Sequence, residues 1–361
     1  MSSRTMTSLR VGDVVEVRPA EEILATLDEN GEYENLPFMP EMLEFCGRRM
    51  VVHKSAHKLC EVITGEGGLH WLNHTVHLKD SRCSGAAHGG CQTDCSLYWK
   101  EAWLRRVTAD ESTATEYSLQ VSADVDRLDR ATKKAPFSDG SERYSCQATE
   151  ILRATSGRIK FLDLYQYVAD LRSGNVGAFA VLRTFLFGLL NAYQRRSRKY
   201  LPRWLLIKEG LPCGFVRGLA PGVTPTAQLN LEVGEVVRIK SKDEIALTLN
   251  SKRLNRGMGF EEEQARACGT TARVKRRVDR CIDEKTGRLL TMKNPCIVLE
   301  GVVCGGVYHG NCPREYVPFW REVWLERVQS DSNQLPRGAN SARAEINLPE
   351  SEVLGASGTS S

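Results

Sequence analysis

Three cysteines and a histidine fall within thirteen residues of this chain, at Cys83, His88, Cys91 and Cys95 in RCSGAAHGGCQTDC (82–95). Thiolate sulfur and imidazole nitrogen are ligands of soft and borderline metal ions, and a glycine-rich loop lets such side chains turn inward onto one ion. The same C-x4-H-x2-C spacing returns at Cys304, His309 and Cys312 in VCGGVYHGNC. A packed core needs side chains of the right volume but has no need of cysteines and a histidine at matched places, so the repetition points to metal binding. Zinc is the expected ion, because a histidine inside a short loop suits its tetrahedral shell. An iron–sulfur cluster, usually held by four cysteines, is the alternative.

Further thiols stand at related positions. Cys46 and Cys268 occupy equivalent places, and Cys60 and Cys281 are within one residue of equivalence. Cys95 has Tyr316 as its counterpart, so the first loop holds a local Cys3His set, whereas Cys296 in NPCIVLEG offers an extra thiol to the second. The candidate ligands are therefore Cys46, Cys60, Cys83, His88, Cys91 and Cys95, and then Cys268, Cys281, Cys296, Cys304, His309 and Cys312. His53, His57, His70, His74, His77 and His88 all precede residue 100. If the chain is an enzyme, that density places proton transfer or an open metal position in its first part.

The elements that must carry these residues come in duplicate. LRVGDVVEVRPAEEILATLDEN (9–30) aligns without a gap on LEVGEVVRIKSKDEIALTLNSK (231–252), and Phe38 falls on Phe260. After a one-residue slip, YWKEAWLRRV (98–107) meets FWREVWLERV (319–328). Each copy opens on an alternating β-branched strand, continues through a short amphipathic helix with acidic residues at its start, and then runs through short strands broken by glycine turns. The expected fold is α+β: two homologous β-barrel modules, SH3/KOW-like in strand order, at 9–107 and 231–328. The tryptophans four apart in each closing segment are expected in the cores.

Between the modules the composition changes. Residues 108–143 are polar and read as a linker, 144–200 have a helical period, and 201–230 form a proline- and glycine-rich connection; the tail 329–361 is expected to be disordered. The most apolar stretch, 176–193, carries Arg183 in its middle and reads as a buried helix. With the basic run 194–199 beyond it, peripheral membrane contact through 176–199 is the alternative.

Of the 361 residues, 49 are basic and 45 acidic, an excess too small to argue for an anionic partner. Basic runs such as RVKRRVDR (273–280) are interleaved with acids, which leaves nucleic acid a weak partner. The start of the chain shows no apolar run of signal-peptide length, so twelve cysteines imply a reducing, cytoplasmic setting and argue against disulfides.

On RCSGAAHGGCQTDC…WKEAWL, RYSCQATEIL (143–152) and NPCIVLEGVVC, the chain resembles a group of bacterial proteins without an assigned activity. The resemblance covers both modules and the start of the middle region, and it implies a place in specialised-metabolite or surface-polymer gene neighbourhoods. These observations lead to a metal-binding accessory or binding protein with a protein or small-molecule partner. The alternatives are a metalloenzyme of a biosynthetic pathway, with its centre in the first module, and a nucleic-acid-binding protein.

Overall fold

A computed structural model describes residues 9–61, 63–64, 67–107 and 122–328. The fold is α+β, built from several small antiparallel sheets with helices between them. The tail 329–361 and the start of the polar segment, 108–121, lie outside the described residues.

Two five-stranded sheets share one strand order. In the first, Trp99–Lys100, Thr75–Leu78, Arg49–Ser55, Val14–Val17 and Leu104–Arg106 lie side by side. In the second the order is Trp320–Arg321, Cys296–Leu299, Thr271–Arg277, Val236–Ile239 and Leu325–Arg327. Even the irregularities match: the register slips between Val52 and Lys54 in one and between Val274 and Arg276 in the other. Among the described residues neither sheet closes on itself, so open sheets stand where the sequence led us to expect small barrels.

The opening strands bury alternate valines and isoleucines, and a short helix follows each. Helix α1 spans Ala20–Leu24, and its counterpart in the second copy spans Lys242–Ala246. The latter is held by a capping box in which the Glu244 amide donates to Ser241 Oγ and the Ser241 amide donates to the Glu244 carboxylate. All four tryptophans of the closing segments, Trp99, Trp103, Trp320 and Trp324, are fully buried. Phe38 meets Trp103 edge-on at 5.2 Å and Phe260 meets Trp324 at 5.3 Å, so the two cores repeat one aromatic contact.

Each sheet is accompanied by a hairpin: Lys58–Cys60 with Leu69–Trp71, and Arg280–Ile282 with Leu289–Thr291. The middle region ties these hairpins together. Within it α2 spans Ser122–Thr132, and strand Gly157–Ile159 adds a third strand to the first hairpin. The Tyr144 amide donates to the Gly287 carbonyl beside the second hairpin. Helices α3 (Gln147–Glu150), α4 (Tyr165–Ser173) and α5 (Ala178–Tyr200) complete it.

Helix α5 departs from the expectation of a buried helix. Only Thr184, Gln194 and Ser197 are buried along it, whereas Phe179, Leu182, Leu186, Leu189 and Tyr193 are exposed. Those five follow a helical three-and-four spacing and form one apolar stripe. Among the described residues no helix is long and apolar enough to cross a membrane.

Candidate metal centre

The loop 83–95 folds because its glycines allow the backbone to double back. The amides of His88 and Gly90 both donate to the Gly85 carbonyl, and the Cys83 amide donates to the Cys95 carbonyl. At Gly85 (φ +74°) an added Cβ would lie 1.9 Å from the Cys91 carbonyl oxygen, so only glycine fits this close approach. The loop 304–316 repeats the pattern: His309 and Asn311 donate to the Gly306 carbonyl, and Cys304 donates to Tyr316.

Of its four candidate ligands, the first loop brings Cys83 and His88 within one ion's reach, with Glu41 as the third member. Cys83 Sγ lies 3.4 Å from His88 Nε2 and 3.1 Å from Glu41 Oε1, and Glu41 Oε1 lies 3.5 Å from His88 Nδ1. One ligand atom from each of these three residues falls within 4.8 Å of the other two. The His88 ring is 1% exposed, and its Nδ1 and the second Glu41 oxygen make no hydrogen bond. Buried polar atoms left in this state are costly, and a cation among them would relieve the cost.

Behind this trio is a cavity of about 30 Å³ lined by Cys83, His88, Cys91, Cys95, Tyr98 and Cys146, with Glu284 and Arg314 arriving from the second half. Burial pushes the thiols of Cys83 and Cys95 well above the ordinary range and that of Cys146 to about 12. Cys91 differs. Burial raises it, but hydrogen bonds from His88, Thr93 and the Ile282 amide outweigh burial and hold its pKa below the ordinary value. Arg314 is ion-paired with Glu284 at 2.6 Å in the wall, and at Cys95 the carboxylate raises the thiol more than the guanidinium lowers it.

The second loop does not assemble the same way. The His309 ring groups with the carboxylates of Glu261 and Glu262, near the surface. Cys304, pushed up to about 12 by burial, lines a separate cavity of about 840 Å³. Cys312 receives the Cys60 amide on its sulfur at 3.1 Å, and a hydrogen bond from the Cys60 thiol pulls Cys312 down while Cys60 rises. Cys281 packs with Cys91 and Ile282. Cys296 is buried in its strand under Arg321, whose Nη1 lies 3.3 Å from the sulfur. Cys46 and Cys268 are half-buried against the first and second cores and do not line the thiol cavity.

Of the histidines outside the loops, His57 and His77 are buried, His53 pairs with Glu315 and His74 with Glu101. The basic run 273–280 is largely occupied within the chain: Lys275 and Arg276 pair with Asp94, and Arg277 with Glu322.

Sequence reasoning missed Cys146, Glu41 and the Glu284–Arg314 pair. Cys146 has no counterpart in the duplication, so a search for matched positions passes over it. The available signal was its place in RYSCQATEIL. No protein family, curated protein or solved structure matches this chain.

Proposed function

We propose that the chain is a metal-binding protein with one thiolate-rich centre, placed at the first loop and taking zinc, that serves as an accessory or binding protein in a bacterial biosynthetic pathway. Its two halves are taken as duplicated modules, opened relatives of SH3-like barrels. The observation that carries this reading is the approach of Glu41, Cys83 and His88 to within one ion's reach, with Cys91 and Cys95 in the adjoining cavity wall. Here Cys83, His88, Cys91 and Cys95 would hold the ion, which supplies a fixed positive charge and a cross-link. The compartment in this reading is a reducing one, such as the cytoplasm, where thiols serve as metal ligands.

Protein purified without oxygen is expected to carry close to one zinc per chain and to lose thermal stability when a chelator removes it. Metal-free protein that melts at the same temperature with and without chelator would refute the reading.

The metalloenzyme alternative has an observation of its own. Thr93, Ile282, Glu284, Arg314 and Tyr316 line both the thiol cavity and the 840 Å³ cavity, which is of a size for a small organic molecule.

For α5 we take an anionic lipid surface as the partner. The apolar stripe runs toward Arg195, Arg196, Arg198 and Lys199, and Trp204 just beyond is 80% exposed. Apolar side chains flanked by cations suit a helix lying in the headgroup region. Vesicles containing anionic lipid should co-sediment the wild type and leave the L182E/L186E variant in the supernatant; equal sedimentation of the two excludes this contact.

A further inference from the structure

We propose that Cys146 is a ligand of this centre and completes, with Cys83, Cys91 and Cys95, a four-thiolate set for a thiophilic metal. The inference rests on the metal-centre reading above and changes its ligands: His88 becomes a neighbour of the sulfurs, and the middle region becomes part of the site.

Cys146 is aimed by its neighbours. It precedes α3 in extended conformation, φ −147° and ψ 175°, and its amide donates to Thr149 Oγ1 at 3.0 Å. The next residue, Gln147, clamps the segment to the first half: its Nε2 donates to the carbonyls of Pro37 and Tyr98, each at 2.9 Å, and its Oε1 accepts from the Tyr98 amide at 2.8 Å. That clamp brings the sulfur of a residue 51 positions beyond Cys95 into the wall that the loop cysteines share.

Cys146 belongs to the first core, Cys83 and Cys95 pack against that core, and a void opens beside them. The cavity of about 30 Å³ exceeds what one water occupies, ~10–15 Å³. Tyr98, which lines it, is 3% exposed, and its hydroxyl has no hydrogen-bond partner. A void beside an orphaned hydroxyl costs stability unless something fills it. Four cysteines from a loop and a distant helix start share that void. Among the described residues no three cysteine sulfurs lie within 4.8 Å of one another, so binding has to draw the thiols inward. One tetrahedral zinc, with bonds of ~2.3 Å, would draw them to about 3.8 Å apart. An iron–sulfur core, with several metal atoms between its ligands, holds them more widely. Thiolate ligation is common to both.

The experiment uses the full chain with its native metal. X-ray absorption at the metal edge is expected to show four sulfur neighbours in the wild type. C146S is expected to lose roughly tenfold or more in metal affinity, whereas C46S matches the wild type. Zinc with four sulfurs, or iron with acid-labile sulfide that C146S cannot retain, each supports the set and distinguishes its occupant. A shell of three sulfurs and one nitrogen, with C146S binding like C46S, overturns the role of Cys146 and leaves the centre standing. Wild type that carries no metal overturns both. The absorption measurement needs no variant, so poor folding of C146S does not remove the test.

Discussion

His77 sits fully buried with its ring 4.5 Å from that of Tyr98 and its Nδ1 2.9 Å from the Leu97 carbonyl. Burial holds its pKa down to about 4 from the ordinary 6.5. Above pH 6.5 the ring is neutral in both folded and unfolded chains. Below it the unfolded chain takes a proton that the folded ring refuses until about pH 4, so stability is complete above 6.5 and is lost on the way down. At about 1.4 kcal/mol per pH unit this amounts to roughly 3 kcal/mol. H77Q, which keeps a donor for Leu97, is therefore expected to shrink the loss of urea stability between pH 6.5 and 4 by roughly 2–3 kcal/mol. An unchanged pH slope would refute that role. At this scale the sequence told most about neighbours along the chain. That Cys83, His88, Cys91 and Cys95 line one cavity was legible because a loop of thirteen residues keeps them near one another. Glu41, 42 residues before Cys83, carries no signal of its own, since a lone glutamate on a short turn looks like any solvated acid.

The elements of the middle region are fastened to the rest by a buried polar knot. Lys58 Nζ lies 2.7 Å and His57 Nε2 3.1 Å from the two Asp170 oxygens, and all three side chains are buried. Asn311 Nδ2 reaches Asp170 at 3.5 Å, and Thr184 of α5 donates to Asn311 Oδ1 at 2.7 Å. Removing one partner of such a pair strands the other charge in the interior, so D170A should cost roughly 3–5 kcal/mol in urea unfolding. The doubly apolar K58M/D170L should recover most of it. A D170A protein as stable as wild type would contradict this account. Strands and short helices of the repeats were legible from alternation and from acidic helix starts, because those patterns follow from local geometry. Which face of α5 would be covered was not: apolar content alone does not say where Phe161 packs, and Phe161 stacks on Phe185 at 5.3 Å and leaves the Leu182–Leu186 side bare.

Across the whole molecule the two halves grip each other reciprocally. The Cys60 amide donates to Cys312 Sγ at 3.1 Å, and the Ile282 amide donates to Cys91 Sγ at 3.4 Å. His53 pairs with Glu315 at 2.9 Å, and Lys275 pairs with Asp94 at 2.5 Å. A Cβ on Gly310 would meet Leu69 at 2.5 Å, and one on Gly89 would meet Leu289 at 2.8 Å. Contacts that repeat with the partners exchanged are the mark of an isologous dimer interface, here within one chain. G310A is expected to lower stability by roughly 1–3 kcal/mol, combining overpacking with positive-φ strain. Adding L69A should relieve the packing part alone; additive losses in the double variant would argue against this contact. The duplication was legible in the sequence, but the exchange was not. The sequence groups Cys60 with the candidate ligands of its own copy, and alignment of two copies cannot say whether each loop rests on its own hairpin or on its sibling's.

The exchanged loops also set a timetable for synthesis. Cys60 and Cys312 are 252 positions apart, so at ~5–20 residues per second a ribosome needs roughly 10–50 s between making one and the other. During that interval the first hairpin waits with its resting place unmade. The resting place of the first hairpin is therefore completed only once the segment that carries Cys312 has been made.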